Sequence, residues 1–587
     1  MSQGIGRHLL ILSLLAFTAV AKPIPHLKPN KPNIIIDGPV TITLHGVKDT
    51  TMLDNIKKLL VIVTNAHLIK PVTQSSLLNI YHNGAMNIRK AMEPYGYFNP
   101  SIKSSYKVRH HQWYMDFTIK PGTPSKVTQI TIKMLGQGAT YTNILKSVHS
   151  YPLQKGSLFT LNKYEEGNNS LLKVAAQFGY FSAKLAVSHI HVNVANNTVK
   201  INIVFDTGSR YRFGKTQFSK TPFNKKFLAK YIAYKQGDYY DSRAVQKTQN
   251  NFSKSNYFKQ IVINPQVNKS VGNVTPMHVE LHMQPRKVYT LGLGYNTDTQ
   301  LRGLAGFKYR WVNSWGHYFN TRAQASFVDY NIGAAYHIPW PNPMKDLFTF
   351  RSAMGHLDIK RGQSRSYILS ALYQHMYEHW RQTISLNYLH ERYNMYKLPR
   401  TRANLLYPEA KLSYYSTKNH INPDTGIRFT AELSGTPAAL SSQSGFTRLL
   451  LESKGVVSFL KNEQLVTRLA YGRIYINHIN SLPLSLQFLI GGSQTVRGYS
   501  YESIGPGRNM LYGTIELRQR LWKELYFAGF YDFGNVTDNR IFANIRDSVG
   551  PSILYRSPIG IIQISIPWRL AAHHVRPRFV FSIGPEL

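Results

Sequence analysis

The stretch GGSQTVRGYSYESIGPGRN, residues 491–509, carries an arginine at its centre, Arg497, between Val496 and the pair Gly498-Tyr499. A guanidinium offers a rigid fork of donors and can bridge two carboxylates, which an ammonium does less well. Two segments downstream supply such carboxylates. In GTIELRQRL (513–521), alternation sends Ile515, Leu517 and Leu521 to one side and Thr514, Glu516, Arg518 and Arg520 to the other. In FAGFYDFGNV (527–536), Asp532 stands between Tyr531 and Phe533, next to a strand end marked by Gly534. A loop folded back between these strands brings Arg497 against Glu516, Asp532 or both. That chemistry is ionic and mechanical: it pins a loop and closes a pore.

Covalent and metal chemistry find little support. The chain has no cysteine, which removes disulfides, thiolate metal sites and cysteine nucleophiles. GSRYRFGKT (208–216) has five residues between its glycines where a phosphate-binding loop needs four. His390 and Glu391 in HERYN lack the second histidine of a zinc-protease helix, and the adjacent pairs His110-His111 and His573-His574 make poor joint ligands on a strand. No G-x-S-x-G elbow is present. The expectation is a protein without catalytic residues, metal or cofactor, and not an enzyme.

Charge and targeting bound the partners. Lys and Arg total 70 against 29 Asp and Glu, a formal charge of +41. Such a field favours nucleic acid, anionic headgroups or acidic proteins. The start of the chain argues against nucleic acid. Arg7 precedes an apolar run at 9–20 that ends in Ala19-Val20-Ala21, the pattern of a secretory signal peptide cleaved after Ala21 (residues 1–21). The run is too short to span a bilayer, which takes about 20 residues, and no later window reads as a membrane helix.

The elements that must position the loop fall into two halves. In the first, a unit recurs about every 80 residues, a common domain size. It is marked by Gly96-Tyr97-Phe98, Gly179-Tyr180-Phe181 and Asn256-Tyr257-Phe258. Each mark ends a helical-period segment: Leu77, Tyr81, Gly84, Ile88 and Met92 form one stripe, and Tyr164, Leu171, Val174 and Phe178 another. Strand candidates lie before each helical region and after each mark. The unit reads β-α-α-β-β, with expected bounds 38–122, 124–208 and 209–286, and its aromatic marks read as helix stops and core plugs. From 287 to 587 the pattern is short alternating segments separated by turns. Ile384, Leu386 and Tyr388 oppose Thr383, Ser385 and Asn387; Ile427, Phe429, Ala431 and Leu433 oppose Arg428, Thr430 and Glu432. About sixteen such segments, rich in Tyr and with arginines on the polar face, suit a transmembrane barrel with lipid outside and water inside.

VRGY in a long loop, followed by ELRQRL and FYDFGNV and by the terminal FVFSIGPEL, resembles the outer-membrane assembly superfamily of POTRA-plus-barrel proteins, and within it the TamA-like (translocation and assembly module) branch. The third mark departs from the pattern in having Asn256 in place of glycine. The resemblance implies an α+β fold of three POTRA modules followed by a C-terminal 16-stranded antiparallel transmembrane β-barrel. The barrel would lie in the bacterial outer membrane, with the modules in the periplasm. It also implies a lateral seam between a first strand carrying Gly292 and Gly294 and a last strand ending at Gly584-Pro585. Through that seam other barrel or autotransporter proteins would be inserted or translocated. The implied partners are an inner-membrane-anchored TamB-like protein reached through the POTRA modules, client outer-membrane proteins and outer-membrane lipid, with a role in lipid transport between membranes and no nucleic acid. A two-partner secretion pore exporting one soluble substrate is the alternative.

The basic excess makes one direct prediction. The isolated N-terminal half should bind anionic liposomes at low salt and release them as salt rises, as screening dictates; absence of binding at low salt in a sedimentation assay would refute it.

Overall fold

The computed structural model describes residues 33–34, 40–67, 73–395, 399–417, 419, 423–440, 445–558, 560–570 and 576–584. The expected signal peptide, Pro585 and His573-His574 lie outside the described residues.

Three β-α-α-β-β modules open the chain. The first runs through Val40–His45, the helices Thr50–His67 and Gln74–Met92, then Ser101–Arg109 and Gln112–Lys120. Its opening strand pairs in parallel with its last, which pairs antiparallel with the one between. The second module repeats that order with Lys126–Leu135, Thr142–His149, Leu161–Gln177, Lys184–Asn193 and Thr198–Asp206. The third does so with Arg212–Phe218, Lys225–Ala229, Ser242–Lys254, Phe258–Pro265 and Val274–Met283.

Local chemistry sets the ends of the second helix in each module. Thr73, Thr160 and Asp241 cap its start by accepting a backbone N–H, replacing bonds the first turn cannot make. Beyond its end the chain passes through the left-handed region at Gly96 (φ 87°), Gly179 (φ 86°) and Asn256 (φ 60°). Asparagine is the residue that tolerates this conformation best after glycine, so the third mark departs in residue type and keeps the geometry. The apolar stripe then closes on the sheet. In the first module Ile80, Ile88 and Met92 pack with Ile42, Met115 and Phe117. His110 and His111 form a tight turn at φ 49° and 61° and do not lie on a strand as expected.

Residues up to Arg210 form one compact unit, and Tyr211 onward a second that holds the third module and the barrel. Within the second unit the module and barrel share a core. Trp311, in the turn after the second barrel strand, packs with Phe223, Phe227 and Tyr257. The Tyr257 hydroxyl donates to the Gly316 carbonyl at 2.6 Å, and burial raises the phenol well above its ordinary value, so it stays a donor.

The barrel is a nearly closed antiparallel sheet of sixteen strands, from Lys287–Asn296 to Val580–Gly584. The penultimate strand is interrupted, with Gly560–Ser565 and Trp568–Arg569 flanking the break at Ile566-Pro567. Alternation sorts its faces: Ile384, Leu386 and Tyr388 are exposed outward, whereas Ser385 and Asn387 are buried inward.

Two features differ from the sequence reading. The lumen is not simply filled with water. Ile479, Leu482, Leu486, Phe488, Ile490, Val496 and Ile504 of the 476–508 segment form an apolar core with the inward residues Leu389, Leu405, Tyr407, Phe446 and Ile474. The first and last strands, moreover, are unequal in length. The last strand has five residues and the first has ten, so most of the first strand's outer edge has no strand partner among the described residues. The two meet where Thr297 N donates to Phe581 O at 3.3 Å and Phe581 N to Thr297 Oγ1 at 3.2 Å.

A helix glycine in the first module gives a test. A Cβ on Gly84 would lie 2.4 Å from the Phe117 ring. Gly84→Ala should therefore destabilise the module by about 1–3 kcal/mol through overpacking, even though alanine is the better helix former by about 1 kcal/mol. Trp113, the single tryptophan before residue 311, reports the urea midpoint of a 22–210 fragment; an unchanged or higher midpoint would contradict the packing argument.

Candidate functional site

The candidate site is the inward-folded loop and the two wall strands that hold it. Those strands, Asn509–Trp522 and Leu525–Thr537, pair with Thr514 opposite Asp532 and Glu516 opposite Phe530. Because side chains alternate along a strand, Thr514, Glu516, Arg518, Phe530 and Asp532 share the inward face. Ile515, Leu517 and Tyr531 face outward and are exposed.

The loop leaves the preceding wall strand, Glu463–Tyr475, and enters the lumen through two one-turn 3-10 helices and a short ladder of Phe488–Ile490 on Ile504–Gly507. Gly491 (φ 119°) and Gly492 (φ 99°) turn the chain sharply, a conformation closed to side-chain-bearing residues. Val496, fully buried, then seats against Gly534, where a Cβ would lie 2.9 Å from a Val496 methyl. Gly498 is needed for close approach: a Cβ there would meet Ser548 at 2.6 Å, and its N–H donates to Ser548 Oγ at 3.1 Å. The Arg569 guanidinium lies over the Tyr499 ring at 4.6 Å, and its Nε donates to the Gly498 carbonyl at 2.7 Å.

Arg497 is the centre of the arrangement. Its Nη1 donates to Glu516 Oε2 at 2.6 Å, its Nη2 to Asp532 Oδ1 at 2.8 Å and its Nε to Asp532 Oδ2 at 2.8 Å. The Arg497 backbone N–H adds a bond to Asp532 Oδ2 at 3.1 Å, and Thr514 Oγ1 donates to Asp532 Oδ1 at 2.9 Å. Glu516 is shared: Arg518 Nε donates to its Oε1 at 2.7 Å and Gln563 Nε2 to its Oε2 at 3.1 Å. The guanidinium carbon lies over the Phe530 ring, 3.4 Å from its centroid, a cation–π contact strengthened by the exclusion of water. Side-chain exposure is 6% for Arg497, 4% for Glu516 and 0% for Asp532. Two cations and two anions thus form a buried, formally neutral set.

The structure therefore brings Val496, Arg497, Gly498 and Tyr499 together with both Glu516 and Asp532. It leaves the seam residues apart from that cluster. Gly292 and Gly294 lie mid-strand in the first barrel strand, with Leu304 at 3.6 Å from a Cβ on Gly292 and open space at Gly294. Gly584 pairs with Ile561 of the penultimate strand. Several residues that hold the loop were not singled out from sequence. Phe530 could have been, since it shares the inward period with Asp532. Glu391 was weighed only as a zinc-protease residue. It is fully buried on the inward face, accepting from Ser364 Oγ at 2.8 Å and from Ser485 N at 3.2 Å in the loop. No local signal marks Ser548 or Arg569 as loop partners.

Comparison with known proteins matches this geometry at the level of family. Residues 307–586 match the Omp85 superfamily domain. Its barrel is thus an Omp85 superfamily barrel. Residues 41–121 match the POTRA domain described as TamA domain 1, so the first module is of that type. Among solved structures, BamA from Haemophilus ducreyi lacking POTRA domains 1-3 aligns with a TM-score of 0.68 at 15% identity, over 78% of this chain and 99% of that one. CdiB from Acinetobacter baumannii aligns at a TM-score of 0.44 and 12% identity, over 78% and 89%. The BamA likeness is one of fold, and the Omp85 barrel is an outer-membrane barrel.

Removing one partner from a buried ion set leaves an uncompensated charge at a cost of about 3–5 kcal/mol. Asp532→Ala should accordingly release the loop and expose Arg497 as a trypsin site. Cleavage within 491–509 should then rise by roughly two orders of magnitude, since each 1.4 kcal/mol is tenfold; cleavage at the parent rate, read by mass spectrometry, would show that the loop is held elsewhere.

Proposed function

We propose that this chain is a non-enzymatic, TamA-like assembly factor that helps insert barrel proteins, or translocate autotransporters, through the lateral seam of its own barrel. The observation that carries the reading is the seam. A ten-residue first strand faces a five-residue last strand and is tied to it at one end. An unpaired strand edge is a row of donors and acceptors on which another strand can form. The first strand also turns Tyr289, Leu291 and Leu293 outward, at 71%, 85% and 87% exposure, so a client strand added there would have an apolar face ready for lipid.

The filled lumen favours this over an axial pore. Arg497 and the apolar core of the 476–508 segment occupy the path that a soluble substrate would take along the barrel axis. In this reading the POTRA modules lie in the periplasm and receive clients there, together with an inner-membrane-anchored TamB-like partner. The TamA-like resemblance extends the proposal to lipid transport between membranes. The loop clamp would set the resting position of the wall beside the seam.

Arg497→Ala tests the mechanism. The variant should remain a folded, heat-modifiable barrel in the membrane while assembly of client outer-membrane proteins falls several-fold in a reconstituted insertion assay. Normal client assembly by a correctly folded variant would remove the role given to the loop. Loss of secretion of one soluble partner with clients unaffected would point to the two-partner secretion pore.

A further inference from the structure

The loop reaches the seam through a second acidic residue, Asp298, which lies in the turn just after the first barrel strand. Its Oδ1 accepts from Arg578 Nη2 at 2.9 Å, and Arg578 stands two residues before the last strand begins. Its Oδ2 accepts from the backbone N–H of Ser493, in the loop, at 2.6 Å. Asn296 Nδ2 donates to Ser493 Oγ at 3.3 Å, and Arg578 Nη1 donates to the Tyr499 carbonyl. Three segments far apart in sequence therefore converge on one carboxylate with 4% side-chain exposure. The fit is close: Gly492 adopts φ 99°, and a Cβ there would lie 2.7 Å from Asp298 Oδ2.

We propose that Asp298 is a positioning residue that latches the outer end of the seam, holding the first and last barrel strands together through the loop. The proposal rests on the seam being the working edge of the barrel. Its physical content is a chain of contacts. Arg497 fixes the loop to the wall at Glu516 and Asp532, the loop presents Ser493 and Tyr499, and these orient Asp298 and Arg578 across the gap. Near the same point lie the direct hydrogen bonds of Thr297, the residue after the first strand, with Phe581 of the last. Below it the first strand has no ladder partner among the described residues. Loss of the Asp298 charge removes the tie beside the Thr297–Phe581 contact, while leaving the Arg497 network intact.

The absence of native cysteine allows a clean test in the full-length protein in liposomes. A Thr297→Cys/Phe581→Cys pair reports closure by its rate of disulfide formation under a mild oxidant. Adding Asp298→Asn should slow that rate about tenfold, the weight of one hydrogen bond to a charged group, in a barrel that remains heat-modifiable. Arg578→Lys, which keeps the charge but not the two-pronged contact, serves as the second variant should the first fail to fold. Asp298→Glu should recover part of the rate. Disulfide formation at the parent rate in folded Asp298→Asn or Arg578→Lys would overturn the latch, whatever clients do. A slowed disulfide with unchanged client insertion would keep the latch and count against the assembly reading alone.

Discussion

Two arginines and two carboxylates, Arg497, Arg518, Glu516 and Asp532, meet inside the barrel almost wholly out of water. An isolated charge in that position would be prohibitively costly, and even a paired one repays its desolvation only with close geometry. Here the geometry is close, because a planar fork from the loop meets a carboxylate from each of two neighbouring strands. Against an apolar replacement the set gains little net stability. Its effect is positional, since in this placement of the loop all four charges are paired.

The remainder of the loop conforms to that placement. Glycine stands where the chain bends through a region closed to other residues, at 491 and 492, or where a wall side chain approaches the backbone, at 498. Apolar side chains of 476–508 fill the lumen above the wall strands, so burial of hydrocarbon and pairing of charge act on the same segment. Glu391, Ser548 and Arg569 add separate hydrogen bonds from three further strands. The loop is thus a structural member of the barrel, and what it touches at Asp298 and Arg578 links the interior to the edge where the sheet fails to close.

The third module belongs physically to the barrel. Trp311 and Gly316 from a barrel turn complete its core, whereas the first two modules form a unit of their own. A module sharing a core with the wall can pass strain to it, which a module on a flexible linker cannot.

Much of this was legible in the sequence because it depends on short-range periodicity. Strand alternation placed Glu516 on the inner face and Ile384 and Leu386 on the outer one, the strand end at Gly534 located Asp532, and a recurring helix stop disclosed three modules even where Asn256 replaced glycine. The choice of Glu516 and Asp532 as partners of Arg497 followed from their positions in the two strands downstream of the loop. Tertiary structure alone decided the apolar filling of the lumen, the reassignment of Glu391 from a rejected zinc motif to a loop anchor, and the meeting of Asp298, Ser493 and Arg578. Those contacts join segments separated by up to 280 residues, and their existence depends on strand register and on where the last strand stops. A local pattern records which way a side chain points; it carries no information about which distant backbone will be there to meet it.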